Sequence, residues 1–244
     1  MRRIRTYIDA ALTPGATLLL PEAASSHLTR VLRLSVGARL LLFNGDGNDY
    51  EAELVATPRR GAEVRVLAAG PAAAPESPLR MTLAQALARG EKMDLVLQKA
   101  TELGARRVVP LLTGRTEVRL EGERLVRRMA HWRGVLAAAC EQCGRARLPA
   151  LDEPVALPRF AAAADPAALR LALLPAGERA VADCGGHADI VLVVGPEGGL
   201  SEADEQVLRA AGFAGLRLGP RILRTETAGL AALAALAARF GDWT

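Results

Sequence analysis

Two stretches near the carboxyl end decide the fold: VLVVGPEGGLSEAD, from Val191 to Asp204, and LRLGPRILRTETAGLAAL, from Leu216 to Leu233. In each, an apolar strand-like run stops at a Gly-Pro pair, and a helical pattern follows. In an open α/β sheet, ligands bind outside the carboxyl ends of the strands, where helix amino termini present free N–H groups. The two stretches therefore predict neighbouring strand ends that together form one small-molecule site from backbone.

Upstream of these stretches, apolar runs alternate with amphipathic helices from about residue 79 onward. The predicted strands are Met81–Leu87, Val108–Leu112, Leu169–Leu174, Ile190–Val194 and Leu216–Leu218. The predicted helices are Glu91–Leu103, Glu121–Cys140 and one after each of the last two strands. Strands and helices in alternation are typical of a parallel sheet that is covered on both faces.

The amino-terminal part has a different pattern. Short strand-like runs at Arg39–Phe43, Tyr50–Ala56 and Ala62–Ala68 are separated by turn residues, with one helix at Glu22–Arg33. Strands at this spacing predict a small β-barrel. The proline-rich GPAAAPESP segment interrupts every pattern around it. We therefore divide the chain into a β-barrel domain at 1-70, a linker at 71-78 and an α/β domain at 79-244.

The closing helix begins in Thr225-Glu226-Thr227 and carries leucines at a three-residue spacing, Leu230, Leu233 and Leu236. A stripe of leucines on an alanine-rich helix predicts close packing against another element. That element is either the domain core or a second subunit, and the pattern favours the core.

Composition bounds the class of protein. The 244 residues are half apolar but only 3% aromatic, and the net charge of +4 favours polyanionic partners only weakly. The basic amino terminus lacks the apolar segment of a signal peptide, and Ala228–Ala238 is too short to span a bilayer. Three cysteines are an odd count that suits a reducing compartment. We expect a cytoplasmic protein with no membrane partner.

The glycine-rich loops match neither common nucleotide-binding fingerprint. A P-loop needs Lys and Ser or Thr after its last glycine, but Gly199 is followed by Leu200, and the glycine spacing is not that of a dinucleotide-binding loop. Instead, Ser201 is predicted to cap the following helix in a capping box with Asp204. Such loops are either ordinary strand-to-helix turns or a backbone surface for a neutral purine, and their similarity favours a shared ligand.

At this point several motifs carry a resemblance. GPEGGLS and LGPRILRTETA, with RGEKMDLVLQKATELG and ACEQCGR before them, closely resemble the ribosomal RNA small subunit methyltransferase E family of the SPOUT superfamily. The likeness extends to HLTRVLRLSVGARLLLFNGDG in the first domain and ESPLR at the linker, and so covers essentially the whole chain.

The resemblance implies transfer of a methyl group from S-adenosylmethionine to N3 of one uridine in 16S ribosomal RNA, either free or in the assembled small subunit. It also implies a PUA-like β-barrel, and a SPOUT α/β domain with a deep trefoil knot, a rare topology in proteins. Enzymes of this superfamily work as homodimers, which makes the closing helix a candidate interface.

Cofactor-binding positions follow from the resemblance residue by residue. They are Leu174, Gly195, Pro196, Glu197, Gly198, Gly199, Leu218, Gly219, Ile222, Leu223, Arg224 and Thr225.

Two of these positions are also candidate catalytic residues. The sulfonium donor is already activated, so the site needs mainly alignment and no metal. Uridine N3 becomes a good nucleophile only when its proton leaves, so Arg224 could stabilise charge on the uracil oxygens and Glu197 could accept the proton or orient a ligand. The alternatives are an ion pair of Arg224 with Glu197 or Glu226, and a contact of Glu197 with a helix dipole.

A paired uridine must leave its stack before N3 is reachable, so the protein must hold the RNA backbone. The candidate contacts are the helical residues His27, Arg30 and Arg33 and the amino-terminal Arg2, Arg3 and Arg5. Arg30 and Arg33 are expected on one helix face. The pattern alone favours a solvated face, whereas the PUA likeness favours RNA.

Cys140 and Cys143 have the spacing of half a zinc site, but a second pair is missing, and completion by Cys184 with His187 or His131 is poor. The sequence therefore predicts no metal and two cysteines that face the core. The main competing function is a non-catalytic RNA-binding protein with a degenerate SPOUT domain. A SPOUT enzyme for a ribose or a tRNA guanine fits less well, because the resemblance includes the linker and first domain.

Overall fold

The computed structural model describes residues 4–59, 61–118 and 120–243, which form two compact units. One unit contains the chain up to Glu76 together with Ala137–Leu148, and the other contains Ser77–Leu136 and the chain from Pro149 onward. The predicted boundaries place Ala137–Leu148 in the α/β domain at 79-244. In the structure this segment groups with the first unit, although it lies far beyond the linker in sequence.

The first unit contains one five-stranded sheet. Its strands are β1 (Arg5–Tyr7), β2 (Thr17–Leu19), β3 (Arg39–Phe43), β4 (Asn48–Ala56) and β5 (Glu63–Pro71), in the order β1-β3-β4-β5-β2. Only β1 and β3 are parallel. Fully buried side chains from three strands, including Leu42, Leu54 and Val64, form its core. This curled sheet confirms the predicted PUA-like fold.

The helix of this unit is shorter than predicted. Helix α1 (Glu22–Ser26) continues as one wide π-type turn over His27–Val31, in which Leu32 N donates to His27 O at 2.9 Å. Arg33 then adopts a left-handed conformation, with φ of 53°. The prediction that Arg30 and Arg33 share one helix face is therefore wrong, because the helical turn ends before Arg33.

Arg5 is predicted to contact RNA, but the structure places its side chain inside the first unit. Its side chain is only 6% exposed, and its guanidinium donates to Asp49 Oδ1 and to Cys140 O, both at 2.6 Å. It also lies over the Phe43 ring, 4.6 Å from the centroid. A guanidinium buried against these partners is not presented to a phosphate in solvent, so its role is internal. Arg2 and Arg3 lie outside the described residues.

The second unit contains a parallel sheet flanked by helices. Its elements are β6 (Arg80–Ala86), α2 (Lys92–Glu102), β7 (Arg107–Leu112), the part of α3 (Gly122–Cys143) that precedes Ala137, β8 (Ala150–Leu151), β9 (Val155–Ala156), α4 (Leu157–Ala163), β10 (Leu169–Leu173), β11 (Asp189–Val194), α5 (Glu202–Ala210), β12 (Ala214–Leu216) and α6 (Thr225–Phe240). The strand order is β12-β10-β11-β6-β7-β8, with β9 also paired to β7, and every pairing is parallel. This confirms the predicted α/β architecture.

Successive strand residues point to opposite faces of the sheet and form two separate cores. On one face, Leu83 and Leu192 join a cluster with residues of α2 and α6, and on the other, Val193 joins a cluster with residues of α4 and α5. Burial on both faces explains why the strands read as continuous apolar runs.

Helix α6 packs against the middle of the sheet, as its leucine stripe indicates. Leu233 and Leu236 are fully buried, and Leu230 is partly buried against the same core. At Gly229, an added Cβ would lie 3.2 Å from both Leu83 and Val194 side-chain atoms. This close approach brings the start of α6 over the carboxyl ends of β6 and β11.

Within the described ranges, no helix is long and apolar enough to cross a membrane. Cys140 is buried beside Phe43 and Ala146, and Cys143 is partly buried. No group of three or more His, Cys, Asp or Glu side chains in the same ranges could hold a metal ion.

Candidate cofactor and active site

Three adjacent strands end at the same edge of the parallel sheet. Strand β10 lies between β12 and β11, and the loops that follow these three strands begin at Leu174, Arg217 and Gly195. The loops line two adjoining cavities of about 670 and 310 Å³. Volumes of this order suit a small-molecule ligand.

All of the predicted cofactor residues line these two cavities. The larger is lined by Leu174, Gly195, Pro196, Glu197, Gly198, Gly199, Ile222, Leu223, Arg224 and Thr225, and the smaller by Leu174, Leu218, Gly219, Ile222 and Leu223. The structure thus brings together two loops that are about twenty residues apart in sequence, as their similarity predicted. Their contact with a cofactor stays a prediction.

The first loop is tightly folded around Gly195. A Cβ added to this glycine would lie 2.9 Å from Leu200 N and 3.0 Å from Gly199 C. Gly199 has a φ of 69°, which glycine adopts without strain, and its N–H donates to Pro196 O at 2.9 Å. Ser201 then caps α5 through the predicted capping box with Asp204. The loop conformation therefore depends on glycine at both positions.

The second loop presents main-chain donors. The N–H groups of Leu218, Gly219, Ile222 and Leu223 make no hydrogen bond with another residue in the part of the chain that the structure describes. All four residues line the smaller cavity. Because no described residue accepts from these N–H groups, they are available to a ligand that carries hydrogen-bond acceptors.

Thr225 joins the two loops. Its Oγ1 donates to Gly195 O at 2.6 Å and accepts a hydrogen bond from Gln85 Nε2 at 2.9 Å. Gln85 is fully buried in β6, and Thr225 is 7% exposed. The role of Gln85 was not predicted, because a single polar residue in an apolar strand belongs to no sequence motif. The only available signal was that a buried glutamine needs a partner.

Replacing Thr225 with valine should loosen this connection without changing the side-chain shape. The change leaves Gly195 O without its donor and removes one partner of Gln85, which costs about 1–3 kcal/mol for buried groups. We expect the affinity for S-adenosylmethionine, measured by calorimetry, to fall roughly tenfold. Thr225→Ser retains the hydroxyl and should bind nearly as the wild type, and equal affinities for serine and valine variants would refute the bridging role.

A charged cluster borders the larger cavity. Lys92 Nζ lies 2.9 Å from Glu197 Oε1 and 3.6 Å from Glu226 Oε2. Partial burial of Glu197 opposes its ionisation, but hydrogen bonds from Lys92 and from the Arg89 N–H outweigh this and hold the pKa of the carboxyl below its ordinary value. The bond to Glu197 raises the pKa of Lys92. Glu197 is therefore an ionised, weakly basic carboxylate that is already paired.

Arg224 differs from Glu197 in having no partner. Its side chain is exposed at the wall of the larger cavity and forms no hydrogen bond or ion pair with any described residue. The alternative of an ion pair with Glu197 or Glu226 is not observed, because Lys92 occupies both carboxylates. Arg115, which the sequence analysis did not identify, lies nearby and donates to Gly198 O at 2.7 Å.

The remaining RNA-binding candidates belong to the first unit. His27, Arg30 and Arg33 are all exposed. Arg30 lines a cavity of about 480 Å³ together with Arg59 and the hydroxyl-bearing Ser26 and Thr29. Hydroxyls and guanidinium groups are common donors to phosphate oxygens. RNA contact at these three positions stays a prediction.

Comparison with known proteins bears on this site. A family model described as an RNA methyltransferase domain matches residues 75–237, and one described as an RNA methyltransferase PUA domain matches residues 20–67. The chain is 34% identical to a ribosomal RNA small subunit methyltransferase E from Synechocystis, with 90% of this chain and 72% of the relative covered.

Two solved structures are similar over essentially their whole length. A ribosomal RNA small subunit methyltransferase E from Neisseria gonorrhoeae bound to S-adenosyl methionine has a TM-score of 0.93 and 36% identity, with 100% of both chains covered. A Legionella pneumophila protein in complex with the bound cofactor SAM has a TM-score of 0.94 and 39% identity, with 99% of this chain and 100% of the other covered.

Proposed function

The chain belongs to the ribosomal RNA small subunit methyltransferase E family, and we propose that it transfers the methyl group of S-adenosylmethionine to N3 of one uridine in 16S ribosomal RNA. Methylation of ribosomal RNA with S-adenosylmethionine comes with the family, while the atom and the nucleotide are our proposal. The observation that carries it is the convergence of two backbone loops on one pocket.

The residues present fit the cofactor. The free N–H groups of Leu218, Gly219, Ile222 and Leu223 offer donors for the acceptor nitrogens of an adenine ring. Leu173 and Leu174 form an apolar wall shared by the two cavities. When bound, S-adenosylmethionine supplies a methyl group on a sulfonium that needs no further activation. The loops would hold it and exclude water, which is the alignment that such transfer requires.

Arg224 is proposed to stabilise the reacting uracil. When the N3 proton leaves to solvent, negative charge spreads over N3 and the two carbonyl oxygens of the uracil, and a guanidinium beside those oxygens stabilises that charge. Arg224 suits this role because it lines the cavity and has no partner among the described residues. Removing a comparable charge-stabilising donor costs about 10²–10³ in rate in other enzymes.

We propose that Glu197 positions the cofactor loop and does not accept the N3 proton. A carboxylate whose pKa is lowered by Lys92 is a weak base, and it could take the N3 proton only by giving up that ion pair. Its bond to the Arg89 N–H ties the first loop to the segment after β6. The contacts with Lys92 and with the Arg89 N–H thus give the Glu197 carboxylate a structural role that does not involve proton transfer.

The first unit is proposed to hold the RNA, free or in the assembled small subunit, through His27, Arg30 and Arg33. The exposed donors around Arg30 support this. The target uridine must be unpaired or extruded for N3 to reach the cofactor. Action on ribosomal RNA is consistent with the cytoplasmic location expected from the sequence.

Homodimer formation and the trefoil knot are also part of the proposal. Ile222 is 86% exposed at the wall of both cavities, which suits a residue covered by cofactor or by a second subunit. Light scattering on the purified protein distinguishes monomer from dimer. For the knot, the support is the likeness to the RNA methyltransferase family.

Calorimetric titration with S-adenosylmethionine tests the proposed function. Saturable binding of one cofactor per chain is expected, and it should weaken in Thr225→Val. The competing function, a non-catalytic RNA-binding protein, predicts RNA binding without any cofactor binding. No saturable binding in the presence or absence of RNA would leave only that competitor.

A further inference from the structure

A second type of cavity lies beside the active site, where β6 and β7 end. We call it the arginine cavity, and its volume is about 380 Å³. Its lining includes three arginines, Arg89, Arg124 and Arg128, and three apolar side chains, Leu87, Met93 and Trp132. It shares no lining residue with the two cofactor cavities. The methyl-transfer chemistry described above does not use it.

Three guanidinium groups give this cavity a positive rim. Arg124 and Arg128 lie one turn apart on α3, and Trp132 follows one turn later on the same face. Within the described ranges, neither arginine forms an ion pair, and Glu117 is the one acidic residue that lines the cavity, paired with Arg89. The rim therefore carries positive charge that the protein itself does not neutralise.

The floor of the cavity is apolar. Leu87, Met93 and Trp132 are each at most 2% exposed, and the Arg128 guanidinium lies 5.9 Å from the centroid of the Trp132 ring. Trp132 is held in place by a hydrogen bond from its Nε1 to Asp94 Oδ1 at 3.1 Å. These core side chains close the bottom of the cavity and leave the guanidinium groups at its rim, which suits an anionic ligand.

Arg89 connects this cavity with the active site. Its backbone N–H donates to Glu197 Oε1 at 3.0 Å, so the segment that supplies the rim is tied to the first cofactor loop. A further cavity of about 460 Å³ shares Arg89 and Glu117 with the arginine cavity, and Arg115, Glu197 and Gly198 with the larger cofactor cavity. Shared lining residues thus connect the cofactor cavity with the arginine cavity.

We propose that the arginine cavity binds a backbone phosphate of the RNA substrate close to the methylated residue, on the guanidinium groups of Arg124 and Arg128. The proposal rests on the proposed function. An RNA strand is favoured as the occupant because phosphates repeat along it, so a strand whose uridine lies at the cofactor also brings phosphates to the neighbouring cavity.

The test replaces Arg124 and Arg128 together with alanine. Binding of a 16S ribosomal RNA fragment that contains the methylated uridine is measured over a range of salt concentrations, and cofactor affinity is measured separately. We expect RNA affinity to fall about tenfold or more and the salt slope to drop by about 1–2 units, since each lost phosphate contact removes about 0.7 for single-stranded RNA. Cofactor affinity should stay within about twofold of the wild type.

The matched control is Arg127→Ala with Arg133→Ala, which removes the same charge from the same helix outside the cavity. Equal losses in both double variants, or no loss in the first, would overturn the proposal. So would a loss of dimer formation at unchanged RNA affinity, since the cavity would then be a subunit interface. If the first variant unfolds, Arg124→Gln keeps Arg128 over Trp132 and serves instead. Methylation by the wild type in parallel tests the proposed function independently.

Discussion

Gly195→Ala is expected to cause a large loss of S-adenosylmethionine binding. The new Cβ would lie 2.9 Å from Leu200 N and 3.0 Å from Gly199 C, and both are backbone atoms that cannot move aside as a side chain can. Relieving such overlap costs about 1–3 kcal/mol and shifts the backbone. Because the shifted segment forms one wall of the cofactor cavity, we expect affinity to fall by about 10- to 100-fold.

Gly134→Ala provides the control for this variant. Gly134 lies within α3, where an added Cβ meets no heavy atom within 4 Å, so the change should be neutral or slightly stabilising. Calorimetry with the cofactor and thermal unfolding are measured on both variants. Wild-type cofactor affinity in Gly195→Ala would show that this loop does not shape the binding site.

Arg224→Ala should remove most methyl transfer while the fold remains intact. The side chain is exposed and has no partner among the described residues, so its loss leaves no buried group unsatisfied. If the guanidinium stabilises the anionic uracil, the turnover number should fall by about 10²–10³, as it does on removal of other charge-stabilising donors. Single-turnover methylation of 16S ribosomal RNA measures this step directly.

Arg224→Lys separates charge from geometry. Lysine keeps the positive charge but not the planar fork, so partial activity indicates charge stabilisation and no activity indicates two-point contact with the ring. Arg209→Ala, an exposed arginine on α5 away from the cavities, is the control for the loss of one positive charge. Full activity of Arg224→Ala would discard the proposed role.

Regular periodicity made most of the fold predictable. Arg39–Phe43 is a strand with the predicted bounds, and the predicted α/β strands lie within one or two residues of their positions. Strand β12 begins and ends two residues before its prediction. Gly215 lies in this strand, outside the predicted range. Glycine is required there because the segment before Arg179, whose N–H donates to Gly215 O, leaves no room for a side chain: an added Cβ would lie 2.9 Å from Gly177 Cα.

The elements that were missed are short or depend on distant partners. Strands β8 and β9 have two residues each, and α4 has a proline in its first turn, so none shows a periodic pattern. The inward position of Arg5 depends on Asp49 and on the Cys140 carbonyl, neither of which is local in sequence. The basic amino-terminal segment therefore predicted an exposed Arg5, whereas its side chain is buried.

The candidate site divides in the same way. Its glycine loops were predictable because their backbone geometry requires particular residues. Lys92, Gln85 and Arg115 were not, since each acts on a loop about 80 to 140 residues away in sequence. Glu197 is paired, and Arg224 is unpaired among the described residues, because Lys92 contacts the carboxylates of both Glu197 and Glu226. Sequence periodicity carries no information about which charged side chains contact one another.

The most direct measurement is the position of the transferred methyl group. Small ribosomal subunits and free 16S ribosomal RNA, both lacking the modification, are incubated with the purified protein and methyl-labelled S-adenosylmethionine, and the RNA is digested to nucleosides for mass spectrometry. The account predicts label in N3-methyluridine, at about one per 16S molecule in the preferred substrate. Label in a ribose, in another base or in no nucleoside would contradict it.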